Sequence, residues 1–168
     1  MNPSFDLFRK QISNPLQFRL FLLQRLPSAF FSGLKIRNFN KDQAVIGVRY
    51  SWFSQNPFRS MYFAVQSMAA EMSTGILGFA QIYQRKPAVS MLVLKVEGNF
   101  IRKATGFILF TCNDGKIIEE AVEKTIRTGE GQTVICRAMG INEQQEVVAE
   151  FLVTWSFKAK INYLKESI

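Results

Sequence analysis

One carboxylate stands alone in the most apolar stretch of this chain. Between Met61 and Ile82 the only charged residue is Glu71. A carboxylate that loses its water must be neutralised, be paired or serve a chemical purpose, because an isolated buried charge is costly. Glu71 is therefore the first candidate for an acid, a base or a nucleophile. The alternative is a structural ion pair with an Arg or Lys of the sheet or of a second subunit.

The other residue types narrow the chemistry. The chain contains no histidine, which excludes Ser-His and Cys-His catalysis and every histidine-containing metal site. Cys112 and Cys136 lie in apolar, strand-like stretches without metal-ligand spacing, so we expect two reduced core thiols and a cytoplasmic protein without a metal. The segment from Met1 to Lys10 also lacks the basic and apolar regions of a signal peptide.

Positive charge is concentrated in the N-terminal third. The net charge is +8, and residues 1–55 carry eight Lys or Arg against Asp6 and Asp42, which gives +6. Such a surface suits nucleic acid, an anionic membrane or a phosphorylated small molecule, and it also suits a merely soluble basic surface. No basic cluster with interleaved aromatics is present, so we expect no nucleic-acid partner. Polar residues inside the 61–82 stretch favour a helix enclosed by protein over a transmembrane segment.

Residues 4–27 are predicted to form two helices that are broken at Asn14-Pro15, with Ser13 or Asn14 as the cap of the second. The second helix, Leu16 to Leu26, has a basic rim, and we expect it to pack on the domain. A role at a membrane surface is the alternative. The apolar side chains assigned to this helix are Leu16, Leu20, Phe21 and Leu23.

The rest of the pattern predicts an α+β fold. Alternation after Gly33 predicts a hairpin around residues 38–42, and Pro57 is predicted to open a long helix that ends near Tyr83. Further strands are predicted at 90–100, 106–112, 132–139 and 146–158, with a solvated helix at 116–128. An antiparallel sheet that wraps one long helix follows from this order. We predict a single domain over 1–168, in which residues 1–33 form a helical extension.

Small side chains surround Glu71 on the long helix. At 100° per residue, the residues within about 60° of Glu71 are Ser60, Ala64, Ser67, Thr74, Gly75 and Gly78. Such a stripe allows close approach of a second subunit, or it opens a groove for an acyl chain or a pantetheine arm, and both hold if the site lies at a dimer interface. A second stripe is expected to face the sheet: Met61, Val65, Met68, Met72, Ile76 and Phe79.

The segments Asn56 to Ala64 and Met68 to Gly75 resemble the central-helix motif of hot-dog acyl-CoA thioesterases, and especially a branch of that superfamily whose function is not characterised. In phenylacetate-type members the motif is Asn, a spacer, His-Gly-Gly, then a carboxylate seven residues beyond the second Gly. Asn56 and Glu71 occupy the first and last positions with the same spacing. Tyr62, Phe63 and Ala64 replace His-Gly-Gly.

The resemblance implies a hot-dog fold, a homodimer or homotetramer, and hydrolysis of an acyl-CoA or acyl-carrier thioester. Coenzyme A would then be part of the substrate, and no separate cofactor is expected. Glu71 would be the general base or nucleophile, and the amide of Phe63 or Ala64 would polarise the carbonyl. Substrate contacts are expected from Asn56, Arg59, Ser60, Tyr62, Ser67, Thr74 and Gly75, and phosphate contacts from Arg59, Lys86 or Lys103.

Several of these residues have a structural alternative. Tyr62 could be buried with its hydroxyl satisfied, Ser60 could be a helix cap, and Asn56 could be a turn residue before Pro57. Because the two motif glycines are absent, the alternative function is a non-catalytic hot-dog protein that binds an acyl group or another lipid.

Overall fold

The computed structural model describes residues 2–160, which form one antiparallel six-stranded sheet and five α-helices. The helices are α1 (Phe5–Ser13), α2 (Pro15–Arg25), α3 (Pro27–Phe31), α4 (Phe63–Ile82) and α5 (Gly115–Thr128). The strands are β1 (Lys35–Phe39), β2 (Ala44–Arg49), β3 (Val89–Phe100), β4 (Phe107–Cys112), β5 (Gln132–Ile141) and β6 (Val147–Ala159). Their order across the sheet is β1-β2-β4-β5-β6-β3. The predicted hot-dog architecture is confirmed.

Helix α4 lies against the sheet and contacts β2, β3, β4, β5 and β6. The face opposite Glu71 is the most deeply buried: Ala69, Ser73 and Ala80 have no exposed surface. The predicted apolar stripe therefore forms only one flank of the buried face, and Phe79, assigned to it, is exposed. Small and polar residues pack closely against the strands, which leaves the Glu71 side as the least covered side of the helix.

The N-terminal helices dock on α4. Asn14 caps α2 as predicted, since its side-chain oxygen accepts from the amides of Leu16 and Gln17. The face of α2 was predicted wrongly: it buries Phe18 and Leu22, whereas Leu16, Leu20 and Leu23 are exposed. Helix α2 has apolar residues of its own on most of its sides, so periodicity alone did not identify the side that packs. The membrane-surface alternative for α2 stays a prediction.

Asn2 fastens the start of the chain to the end of α4. Its side chain is almost fully buried, and its Nδ2 donates to the carbonyl oxygens of Ala80 and Tyr83 at 2.8 Å each. The last carbonyls of a helix have no partner within the helix, so Asn2 satisfies groups that burial would otherwise leave unpaired. The Tyr83 hydroxyl adds a contact by donating to Gln11 of α1 at 3.0 Å. The N-terminal segment is thereby held against α4.

The long helix begins later than predicted. Pro57 does not open it; α4 starts at Phe63, and the segment before it forms a separate turn closed by a bridge between Gln55 and Met61. Asn56 organises this turn, because its Oδ1 accepts from the amides of Phe58 at 2.9 Å and Ser60 at 3.3 Å. The side chain competes with the helix for backbone donors and delays the helix start.

The remaining predicted elements are confirmed within a few residues. Helix α5 is less solvated than predicted, since Ile118 and Val122 have no exposed surface and face the core. Cys112 and Cys136 are buried free thiols, as expected. The two ends of the predicted 1–168 domain, residue 1 and residues 161–168, lie outside the described residues.

Candidate functional site

Glu71 lies where two cavities meet. On one side is a cavity of about 510 Å³ between α4 and β3, which we call the helix groove; it is lined by Phe63, Ser67, Met68, Glu71, Val96, Gly98, Phe100 and Phe151. On the other side is a cavity of about 310 Å³ beneath the N-terminal helices, which we call the apolar chamber. Glu71 lines both cavities. It therefore occupies the junction between an open groove and an apolar compartment.

The Glu71 carboxylate is half-buried and has no partner among the described residues. Within residues 2–160 no side chain hydrogen-bonds to it and no Lys or Arg forms an ion pair with it. Desolvation raises the pKa of Glu71 above its ordinary value of 4.5. The structural ion pair considered from the sequence is thus not formed within the described part of this chain.

Thr74 and Gly75 shape the wall beside the carboxylate. The buried indole Nε1 of Trp155 donates to Thr74 Oγ1 at 2.9 Å, and this hydroxyl in turn donates to the Glu71 carbonyl at 2.9 Å. Thr74 therefore anchors Trp155 from a fully buried position. A Cβ on Gly75 would lie 3.0 Å from the Trp155 ring and 3.2 Å from Glu71 Oε1. Glycine at this position leaves room for both side chains.

The start of α4 supplies backbone donors. The Tyr62 carbonyl accepts the amides of Val65 and Gln66, so the two preceding amides, of Phe63 and Ala64, begin the helix without an intrahelical acceptor. The helix dipole places partial positive charge at the same point. Seven residues separate Ala64 from Glu71, which corresponds to about 10 Å along the axis. The donors and the carboxylate thus lie at two levels of one helix.

Two aromatic rings separate the helix groove from a third cavity. This cavity of about 640 Å³, the entrance cavity, borders the turn before α4 and shares Phe63 and Phe100 with the helix groove. The two rings meet edge to face with centroids 6.4 Å apart. Tyr62 is 46% exposed, so the buried packing considered for it is wrong; its ring stacks edge-on against Phe63.

Three further residues that were predicted to contact the substrate form hydrogen bonds within the chain: Asn56, Ser60 and Ser67. Asn56 Nδ2 donates to Ser60 Oγ at 3.1 Å, which favours the turn role of Asn56. Ser60 does not cap α4, because the helix starts three residues later and its N-cap residue, Tyr62, makes no side-chain cap bond. Ser67 lines the helix groove and donates to the Phe63 carbonyl at 2.9 Å.

The predicted basic residues lie at different places. Lys103 lines the entrance cavity, where its Nζ donates to the Phe58 carbonyl at 3.2 Å. Arg59 is exposed in the turn before α4. Lys86 follows the other end of α4, which a helix of this length places about 30 Å away.

Sequence reasoning missed the walls of the apolar chamber. Five of its lining residues come from the N-terminal helices and the α2–α3 junction: Phe8, Ile12, Phe18, Phe21 and Leu26. Their only signal in the sequence is helical spacing of apolar residues, which is the same for a side chain that packs and for one that lines a cavity.

The described part of the chain contains neither a metal-ligand cluster nor a membrane-spanning helix. Residues 2–160 contain no group of three or more side chains placed to ligate a metal ion. In the same range no helix has the length and apolarity needed to span a bilayer.

The raised pKa of Glu71 predicts the pH dependence of stability. The folded chain holds the proton more tightly than the unfolded chain, so ionised Glu71 costs stability; the cost is absent below pH 4.5 and complete above the folded-state pKa. We expect Glu71→Gln to raise the free energy of unfolding near neutral pH and to lose this advantage as the pH falls to about 4.5. Urea unfolding of both proteins across this range measures the difference.

Glu130→Gln is the matched control, because Glu130 is exposed and the same change there removes no buried charge. A Glu71→Gln protein that is less stable than the wild type at neutral pH would mean that the carboxylate has a stabilising partner.

The sequence matches no protein-family model and no curated protein. Solved structures do match. A protein of unknown function from Pseudomonas aeruginosa, described as a probable thioesterase, has a TM-score of 0.72 at 20% identity, over 86% of this chain and 96% of that one. A protein of unknown function from Chlorobaculum tepidum has a TM-score of 0.72 at 16% identity, over 86% of this chain and 96% of that one.

A thioesterase from Haemophilus influenzae has a TM-score of 0.61 at 15% identity, over 86% of this chain and 92% of that one. At these identities the likeness concerns the fold. This chain therefore has the hot-dog fold of thioesterase-like proteins.

Proposed function

We propose that this chain is a thioesterase that hydrolyses an acyl-CoA or acyl-carrier thioester, with Glu71 as the general base. The observation that carries the proposal is the desolvated carboxylate of Glu71, which is unpaired within residues 2–160 and lies at the junction of the helix groove and the apolar chamber. Perturbed carboxylates in clefts are typical of catalytic sites. A base whose pKa is raised toward neutrality is also matched to proton abstraction from water.

The spacing along α4 favours general-base catalysis over direct attack. The Ala64 amide and the Glu71 backbone lie about 10 Å apart along the axis, and the Glu71 side chain leans back toward the helix start. A water molecule between the carboxylate and the carbonyl carbon is the proposed nucleophile. Glu71 takes a proton from the water, the water oxygen adds to the carbonyl carbon, and the helix amides stabilise the developing oxyanion. The C–S bond then breaks, and the thiolate receives the proton from Glu71.

The entrance cavity is the proposed site for the coenzyme A arm. It lies at the positive end of α4 and contains Lys103, and Arg59 adds charge at the nearby turn. These groups favour an anionic ligand. Asn56, Ser60 and Tyr62 line the same cavity and supply hydrogen-bonding groups along it, while Ser67 does so in the helix groove.

A second copy of the chain is proposed to cover the helix groove. Strand β3 ends the described sheet, is 12 residues long and pairs only with β6 there. Its second half is exposed on both faces, including Val96 and Phe100, which line the groove. A long, apolar, unpaired edge invites pairing with another strand. Two-fold pairing of β3 with itself would bury the edge and close the groove in a homodimer, alone or within a tetramer.

Turnover by the Glu71→Gln protein tests the mechanism. The amide cannot accept a proton, so we expect thiol release from a panel of acyl-CoA esters to fall about 10²- to 10⁴-fold. In the wild type, kcat/KM should rise with pH through the raised pKa of Glu71, because only the ionised form acts as a base. Glu130→Gln serves as the control and should retain wild-type rates. Turnover that survives Glu71→Gln would rule the mechanism out.

Substitution on β3 tests the dimer. Leu94 is 55% exposed at the middle of the strand, and Leu94→Glu places like charges across the proposed pairing. We expect light scattering to give twice the mass of one chain for the wild type and the mass of a single chain for this variant. Ile117→Glu makes the same change at an exposed position of α5 and should stay dimeric. A wild type that is monomeric, or a Leu94→Glu protein that remains dimeric, would contradict the interface.

The second candidate function is binding without catalysis. Phe63 favours it, since its ring lies between the entrance cavity and the helix groove at the position where the thioesterase motif has glycine. Bound lipid found by mass spectrometry, together with no turnover on any thioester, would select this function. The cytoplasmic location stays a prediction in either case.

A further inference from the structure

We infer that the apolar chamber binds the acyl chain, that it accepts an uncharged alkyl chain of medium length, and that the N-terminal helices set that length. The assignment of this ligand as an acyl group rests on the proposed function. The binding of an alkyl chain follows from the chamber itself, and it can be measured without any reaction.

The chamber walls exclude a polar ligand. In the part of the chain that the structure describes, every lining residue except Glu71 is apolar. The one polar hydrogen of the wall, on Trp155 Nε1, is already donated to Thr74. Specific sites for polar molecules need convergent polar groups, and here the single one is at the junction with the helix groove. The polar end of a ligand therefore belongs at Glu71, and its apolar part belongs inside.

The size of the chamber limits the ligand. A space of about 310 Å³ lies at the lower end of the range of small-molecule sites, which is about 300 to 1,000 Å³. A methylene group occupies roughly the ~30 Å³ that a water molecule takes in the liquid, so the chamber holds on the order of ten carbons. This size corresponds to a medium-chain acyl group.

The N-terminal helices form one wall of the chamber. Phe8 and Ile12 of α1 and Phe18 and Phe21 of α2 face α4 across it. Asn2 holds the chain start against the end of α4, so these walls are fixed to the helix that carries Glu71. A chain that enters past Glu71 meets the aromatic side chains as an end wall.

Fluorescence of Trp155 reports occupancy directly. The chain has two tryptophans, and Trp52 is 83% exposed, so Trp52→Phe leaves Trp155 in the chamber wall as the only one. The probes are ω-bromo-1-alkanols of increasing length, whose bromine quenches indole fluorescence and whose hydroxyl can donate to Glu71. We expect saturable quenching, with affinity that rises about fourfold per methylene up to about ten carbons and then levels off.

Enlarging the wall tests the role of the N-terminal helices. Phe21→Ala removes a partly exposed ring from the chamber, so we expect the length limit to move up by about two to four carbons. Leu20→Ala is the matched control on the outer side of the same helix and should leave the limit unchanged. Absence of saturable quenching, an affinity that keeps rising with length, or the same limit in all three proteins would overturn the inference.

The hydrolase function and the binding of an alkyl chain in the chamber can be contradicted independently of each other. Bromoalkanols contain no thioester, so length-limited binding without turnover on any acyl-CoA would keep the chamber and remove the hydrolase function. Turnover that is independent of acyl length, without quenching of Trp155, would keep the hydrolase and remove the chamber.

Discussion

Taking a carboxylate out of water costs free energy unless a partner or a proton compensates for it. In this chain Glu71 meets that cost with neither an Arg nor a Lys within the described residues, and its raised pKa is the direct consequence. The elements around Glu71 determine how much water is excluded from its carboxylate. The sheet covers the opposite face of α4, the N-terminal helices cover one flank, and the helix groove leaves the other flank accessible.

Helix α4 thus contributes one face to the hydrophobic core and another face to the candidate site. Fully buried residues such as Ala69 and Ser73 allow its rear face to approach the strands closely, which fixes its position. On the side of Glu71, Gly75 leaves space in which the carboxylate and Trp155 lie next to each other. The first turn of the same helix supplies backbone donors two turns away. One rigid element therefore sets the distances on which the proposed reaction depends.

Much of the fold was accessible from the sequence, because its signals are local. Alternating strands, the Asn14 cap and the isolated charge of Glu71 each act over a few residues. Two predictions were wrong because local patterns do not show which of two competing arrangements forms. The turn at Asn56 displaced the start of α4. Helix α2 buries Phe18, although its exposed leucines have a similar helical spacing.

The apolar chamber could not be predicted, because it depends on contacts between distant segments. Asn2 is held by carbonyls about eighty residues further along the chain, and this contact places α1 beside α4. No periodicity in residues 5–25 distinguishes a cavity wall from a packed core. The resemblance in the 56–75 segment located Glu71 and the helix start, but it contains no information about the N-terminal extension.

Titration of Glu71 itself tests whether this carboxylate is desolvated and unpaired. In protein labelled with ¹³C at the glutamate carboxyl carbons, the Glu71 signal is identified by its loss in Glu71→Gln, and its chemical shift is followed against pH. We expect a pKa clearly above 4.5 that coincides with the pH at which kcat/KM rises. A Glu71 that titrates at or below its ordinary value would instead be a paired, structural carboxylate and not the general base.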